Sequence, residues 1–151
     1  MTWSIESVRE TDLSPAEIYR IYSDPSTWGS WGGNTRHARA DGPVGEGSIV
    51  HVTAGYGRSW PVLMRRMEPD RFVECVVKPP ALTVVRRFEL TSTAKGVRIR
   101  HEIEVSGRAA TFTRLTLKPI YARLLAKETR RLVEYARSHR DAMDRARDER
   151  R

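Results

Sequence analysis

The sequence predicts an α+β domain: an antiparallel sheet of about seven strands, two short helices after the first strand, and a long helix at the C-terminal end. Three observations lead there. Residues 37–107 alternate apolar and polar side chains with a period of two, as strands with one buried face do. That stretch is punctuated by Asp41-Gly42-Pro43, Gly55 and Gly57, Pro69-Asp70, Pro79-Pro80 and Lys95-Gly96, so successive strands are joined by short connections and pair antiparallel. From about Ala110 the apolar spacing changes to three and four, which is one face of a helix. A chain of 151 residues, 39% hydrophobic and 30% charged, fits one ordinary domain with a core of its own.

Each element has a local reason. Trp3-Ser4-Ile5-Glu6-Ser7 alternates and predicts a strand running to about Thr11. Ser14-Pro15-Ala16-Glu17 opens a helix, with Ser14 as cap, Pro15 at the first helical position and Glu17 completing a capping box; Ile18, Ile21 and Tyr22 form its apolar stripe. Asp24-Pro25 repeats the signal and opens a second short helix carrying Trp28 and Trp31, which Gly29, Gly32 and Gly33 end. Strands are expected at 37–41, 47–54, 59–68, 71–78, 82–91 and 96–106. Two faces are clear: Val97, Ile99, His101, Ile103 and Val105 inward with Arg98, Arg100, Glu102 and Glu104 outward, and Leu82, Val84, Arg86, Phe88 and Leu90 inward on the strand before. The strand 59–68 has two competing inner sets, Trp60, Val62, Met64 and Arg66 against Leu63, Arg65 and Met67. The last stripe runs Phe112, Leu115, Leu117, Ile120-Tyr121, Leu124-Leu125, Leu132-Val133 and Ala136; Pro119 either kinks that helix or begins it. The domain is expected to span 1–140, with 141–151 a charged, disordered tail.

Net charge is +8, and residues 109–151 carry twelve Lys and Arg against six acids. The run alternates signs (Arg140-Asp141, Asp144-Arg145, Arg147-Asp148-Glu149-Arg150-Arg151) and holds no aromatic after Tyr135. That argues for solvated helix surface and against nucleic acid, whose readers interleave aromatics with cations. Peripheral contact with an anionic membrane or an acidic protein is the alternative use of this surface. No run of apolar residues is long enough to span a bilayer, the first residues show no secretory signal, and the single cysteine excludes an internal disulfide. The expected setting is cytoplasmic.

Among chemistry-bearing residues, Arg86 and His101 stand out because each falls on the apolar face of its strand. With an even number of residues in the Ser92–Gly96 connection, the two side chains lie opposite or one rung apart. A buried arginine needs an anion. Arg86 then holds a carboxylate, phenolate or enolate oxygen while His101 moves a proton, or pairs with an internal acid such as Glu74 or Glu89, or snorkels past the sheet edge. His51, between Val50 and Val52, has no decidable face; Cys75 alternates with Val73 and Val77 as a small buried hydrophobe. The spacing of His, Asp and Glu suggests no metal site, no glycine-rich motif suggests a phosphate cofactor, and no Gly-x-Ser-x-Gly elbow presents a nucleophile.

The order of elements, with Ser14-Pro15-Ala16-Glu17-Ile18-Tyr19, Asp24-Pro25-Ser26-Thr27-Trp28-Gly29-Ser30-Trp31, Pro69-Asp70-Arg71 and the helix through Leu124-Leu125 and Leu132, resembles the START-like (SRPBCC) superfamily over residues 2–140, and in particular its polyketide cyclase/dehydrase and lipid-transport branch. The resemblance implies a helix-grip fold, in which the sheet curls around the long helix and leaves an elongated apolar cavity. Trp28 and Trp31 fall where the family's short helix closes one end of it, as fixed core residues or as a mobile gate. The implied ligand-binding set is Trp28, Trp31, Trp60, Met64, Val84, Phe88, Ile99, Tyr121 and Leu125, with Arg86 and His101 as the catalytic candidates. The expected partner is a small hydrophobic or aromatic, lipid- or polyketide-like molecule, with no cofactor. Two other readings stand beside a binding module: a polyketide aromatase/cyclase or dehydratase that works by positioning its substrate, and a membrane-docking lipid carrier or interaction protein.

Overall fold

A computed structural model describes residues 1–151. The elements are β1 (Thr2–Thr11), α1 (Pro15–Tyr22), a 3-10 turn (Pro25–Thr27), α2 (Trp28–Trp31), β2 (Thr35–Ala40), β3 (Ile49–Ala54), β4 (Ser59–Glu68), β5 (Phe72–Val77), β6 (Thr83–Ser92), β7 (Val97–Ser106), α3 (Ala110–Thr116) and α4 (Lys118–Glu149). The strands form one antiparallel seven-stranded sheet in the order β1-β7-β6-β5-β4-β3-β2. Six strands follow as a meander, and β1 returns to pair with β7, Trp3 opposite Val105 and Thr11 opposite Val97. The sheet curves around α4, a helix-grip fold.

The predicted caps form. The Ser14 hydroxyl accepts from the Glu17 amide at 3.2 Å while the Glu17 carboxylate accepts from the Ser14 amide, and the Asp24 carboxylate accepts from the Ser26 amide at 3.1 Å. The ambiguity of β4 has a structural cause. Its register against β5 shifts between Met64 and Arg66, a bulge that puts Trp60, Val62 and Met64 on the inner face before it and Met67 there after it. His51 is exposed beside the buried Val50.

The C-terminal stripe is two helices. Leu117 separates α3 from α4, and Pro119 lies in the first turn of the new helix, where its missing N–H costs no hydrogen bond. The break turns Phe112, Leu115 and Ile120, expected on the buried stripe, out to solvent. Gly107 makes the turn into α3 with φ of 111°, and a Cβ there would lie 2.6 Å from the Ala81 carbonyl oxygen. At its other end α4 continues to Glu149, beyond the residue 140 at which the sequence placed the end of the domain, with residues 141–149 exposed throughout. Oppositely charged residues four apart, Asp141 with Arg145 and Arg145 with Glu149, favour continuing the helix.

The core has two parts. Leu13, Ile18, Met64, Leu90, Val97, Ile99 and Leu132 fill the space between α1, α4 and one end of the sheet; Trp3, Ile103, Val105, Ala110 and Leu125 form a smaller cluster toward α3. Arg140 grips the Glu17 carboxylate through Nε at 2.8 Å and Nη2 at 2.5 Å, and Arg137 reaches Asp12 at 3.2 Å, so α4 is held to the start of α1 by charge as well as packing. On the outer face of the sheet Arg87 meets Glu74, Glu102 and Glu104.

Candidate ligand cavity and its buried charge network

Between these clusters lies a cavity of about 380 Å³ bounded by β3–β7, α2, α3 and α4; 21 of its 29 lining residues are hydrophobic. Val52, Val62, Val73, Cys75, Val84 and Phe88 supply the sheet side, and Leu117, Tyr121, Leu124 and Leu125 the helical side. Trp28, Trp31 and Gly33 close one end. A Cβ on Gly33 would lie 2.6 Å from the Leu124 carbonyl oxygen, so only glycine lets this segment come so close to α4. Both indoles are tethered: Trp28 Nε1 donates to the Tyr22 carbonyl at 3.1 Å and Trp31 Nε1 to Thr27 Oγ1 at 3.2 Å. Together they wall off that end of the cavity. At the other end Trp60 donates to the Tyr56 hydroxyl at 2.9 Å, and Tyr56, a lining residue, is largely exposed, so the cavity reaches the surface there.

Trp28, Trp31, Trp60, Val84, Phe88, Tyr121, Leu125 and Arg86 all line the cavity. Met64 and Ile99 do not. Both are fully buried on the correct face of the sheet, but at the end that Leu13, Ile18 and Leu132 cover. The period of a strand says which face a side chain occupies, not which end of the sheet another layer fills. His101 lies behind the wall rather than on it.

Arg86 and His101 come together as the even connection requires. The residues between Ser92 and Val97 number four, Phe88 pairs with His101 and Arg86 with Ile103, so the two side chains are one rung apart. The acid that joins them is Glu128 of α4, not Glu74 or Glu89. Glu74 is opposite Arg87 on the outer face and Glu89 is exposed beside Arg100. Glu128 Oε2 accepts from Arg86 Nη2 and meets His101 Nδ1 at 2.8 Å; His101 Nε2 is 2.7 Å from the Tyr22 hydroxyl. Glu128 follows Leu124 and Leu125 and precedes Leu132 on the apolar stripe, and a carboxylate there is the one sequence signal of its role. Tyr22 gave no such signal, since its hydroxyl sits on an otherwise apolar stripe.

The protonation states follow from the surroundings. Burial alone would push the Glu128 carboxyl up, but the Arg86 charge and the His101 hydrogen bond outweigh it and bring it down to about 2. An ionised Glu128 has no proton to give, so His101 Nδ1 donates to it and Nε2 accepts from the Tyr22 hydroxyl. Phe88 packs edge-on to the imidazole at 4.6 Å, and Tyr22 and Trp31 close around it. This burial drives the imidazole below its ordinary value despite Glu128, and it raises the Tyr22 phenol well above its own, with the Glu128 charge adding to that rise. Arg86 keeps 26% of its side-chain surface open, and as a lining residue it shows that surface to the cavity. Its Nε is buried without a hydrogen-bond partner. Burial also moves the Cys75 thiol up to about 11, which leaves it protonated and unreactive.

These shifts set an acid dependence with a definite sign. Unfolded, His101 takes up a proton near 6.5, whereas the folded imidazole resists it, so stability is expected to fall as pH drops below about 6.5 toward the lowered folded value. The contribution of Glu128 is complete above its ordinary 4.5 and is lost as pH falls from there toward 2. Urea unfolding at a series of pH values checks this, and His101→Gln should flatten the first stage while leaving the part of the second that rests on the Arg86 charge.

Comparison with solved structures places the fold. Protein SA2116 of unknown function from Staphylococcus aureus superposes with a TM-score of 0.76 at 11% identity, over 93% of this chain and 97% of that one. The di-domain ARO/CYC StfQ from the steffimycin biosynthetic pathway gives 0.69 at 12% identity, over 96% of this chain and 52% of that one. Norcoclaurine synthase from Thalictrum flavum gives 0.67 at 16% identity, over 87% and 91%. No curated protein matches in sequence. At these identities the likeness is one of fold. The model of the family described as polyketide cyclase / dehydrase and lipid transport matches residues 2–137, nearly the whole chain, and the protein belongs to that family.

Proposed function

We propose that the chain binds a small, mainly apolar molecule of lipid- or polyketide-like character, bearing a ring and an oxygen function, between the sheet and α4. The cavity carries this reading: a space of about 380 Å³ with apolar walls, and Arg86, Glu128 and Tyr22 as polar groups at its inner side. Apolar clefts with a few converging polar groups are the usual seats of small ligands. The guanidinium, already neutralised by Glu128, suits a carbonyl or hydroxyl oxygen as a hydrogen-bond acceptor. Trp3, Trp28, Trp31 and Trp60 all line the space, so intrinsic fluorescence reports occupancy. Titration with 2-acetylnaphthalene is expected to quench it saturably. Val84→Phe, which adds a ring to the wall, should weaken binding by about tenfold or more without lowering thermal stability. Unsaturable quenching in the wild type, or an unchanged affinity in Val84→Phe, would overturn the reading.

One observation favours a second reading, ring closure or dehydration of a polyketone-like substrate. The hydrogen-bonded series Tyr22–His101–Glu128 starts at the cavity wall, with Arg86 beside it. In this reading a carbon next to a substrate carbonyl loses its proton to Tyr22 Oη as the Tyr22 proton passes to His101 Nε2. The C–H electron pair becomes the enolate, whose oxygen Arg86 holds. The Glu128 carboxylate stabilises the imidazolium that forms. The enolate carbon then attacks a second carbonyl of the same chain, brought close by the walls. That carbonyl's π pair goes to its oxygen, and the alkoxide formed takes a proton from Tyr22 Oη as His101 Nε2 returns one to Tyr22.

A further inference from the structure

The outer side of α3 and the start of α4 breaks the rule that large apolar side chains point inward. Phe112, Leu115 and Ile120 are 70%, 78% and 54% exposed. Phe112 and Leu115 are three apart on α3 and share a face, and Met1, also exposed, joins them through a 3.4 Å contact of its sulfur with Thr111 Oγ1. Singly exposed apolar residues are ordinary on soluble proteins, but a contiguous group marks a contact surface. Charge accompanies the group. Arg108, Arg114, Lys118, Arg123 and Lys127 fall in or beside this segment, and no acid occurs between Ala109 and Lys127. The molecule's ion pairs all lie elsewhere. The inner side of the same segment, Thr113, Leu117 and Tyr121, lines the cavity.

We propose that α3 and the first turns of α4 are a docking face for an anionic lipid surface: Phe112, Leu115 and Ile120 enter the acyl boundary while Arg108, Arg114, Lys118 and Arg123 meet headgroup phosphates and carboxylates. Apolar side chains flanked by cations without counter-ions are what an interfacial helix presents to lipid. A surface that is anionic at its headgroups and apolar beneath them matches both halves of this face at once. The docking face stands whether or not the cavity ligand is the one proposed above, because its residues point away from the cavity.

Co-sedimentation of the full chain with vesicles of phosphatidylcholine, alone and mixed with phosphatidylserine, tests it. Binding to the mixed vesicles alone is expected, falling steeply with added salt. Arg114→Glu should weaken it by at least about fivefold, the weight of one cation near such a surface. Phe112→Ser with Leu115→Ser should weaken it by about tenfold or more while leaving unfolding and 2-acetylnaphthalene binding unchanged. No binding to mixed vesicles at low salt overturns the proposal. Binding that survives the double serine variant overturns it too, as does binding to soluble polyglutamate with none to vesicles, which would make the face a site for acidic protein.

Discussion

Replacing Glu128 by alanine is expected to lower the unfolding free energy by about 3–5 kcal/mol, a large part of what a domain of this size has to lose. The size comes from what remains. Arg86 cannot shed its proton at any ordinary pH, so its charge stays in the wall without a counter-ion, and His101 Nδ1 loses its acceptor in the same step. The pair itself need not be a net source of stability, since two charges had to leave water to form it. Arg86→Met combined with Glu128→Leu, which removes both charges and keeps apolar bulk, should therefore recover most of the loss. Urea unfolding of the wild type, Glu128→Ala and the Arg86→Met/Glu128→Leu variant measures both effects. A loss below about 1 kcal/mol for Glu128→Ala would mean that the open quarter of Arg86 is solvated through the cavity.

The same residues show what one sequence discloses and where it stops. β6 and β7 were legible because each has one dry and one wet face, so parity alone put Arg86 and His101 on the inner side, and the length of the connection placed them one rung apart. β4 was not legible, because the bulge after Met64 reverses the parity midway and averages the pattern away. Glu128 was missed for a different reason. Its partner lies 42 residues away on another element, and that meeting depends on how α4 is rotated over the sheet, which the helical period does not specify. The membership of the cavity was legible by face but not by position along the strand, so Met64 and Ile99 joined the core beside α1 instead. Pro119 marked a kink or a start in the last stripe, but the spacing of three and four runs on across it, so the sequence did not say that the restart turns Phe112, Leu115 and Ile120 outward.

The largest effect on chemistry is expected at Tyr22. In deuterated water the wild-type protein should speed exchange of the acetyl methyl hydrogens of 2-acetylnaphthalene, because forming the enolate is the step that ring closure needs. Tyr22→Phe should abolish that gain, a loss of about 100-fold or more, the usual weight of a positioned acid–base group. The phenyl ring would keep its packing against Phe88 and Trp31, at 5.1 and 5.8 Å between centroids, so probe binding should persist. Stability should drop by only about 1–3 kcal/mol for the donor that His101 Nε2 loses. The pH profile separates a relay from a merely structural hydroxyl. His101 must be neutral to receive the proton, so the rate should rise with pH through the lowered imidazole value and then level, since the Tyr22 phenol stays protonated well above its ordinary range. Binding with no exchange above buffer would leave a carrier and remove the enzyme. Exchange that survives in Tyr22→Phe would take Tyr22 out of the proton path and leave Arg86 polarisation of the carbonyl as its source.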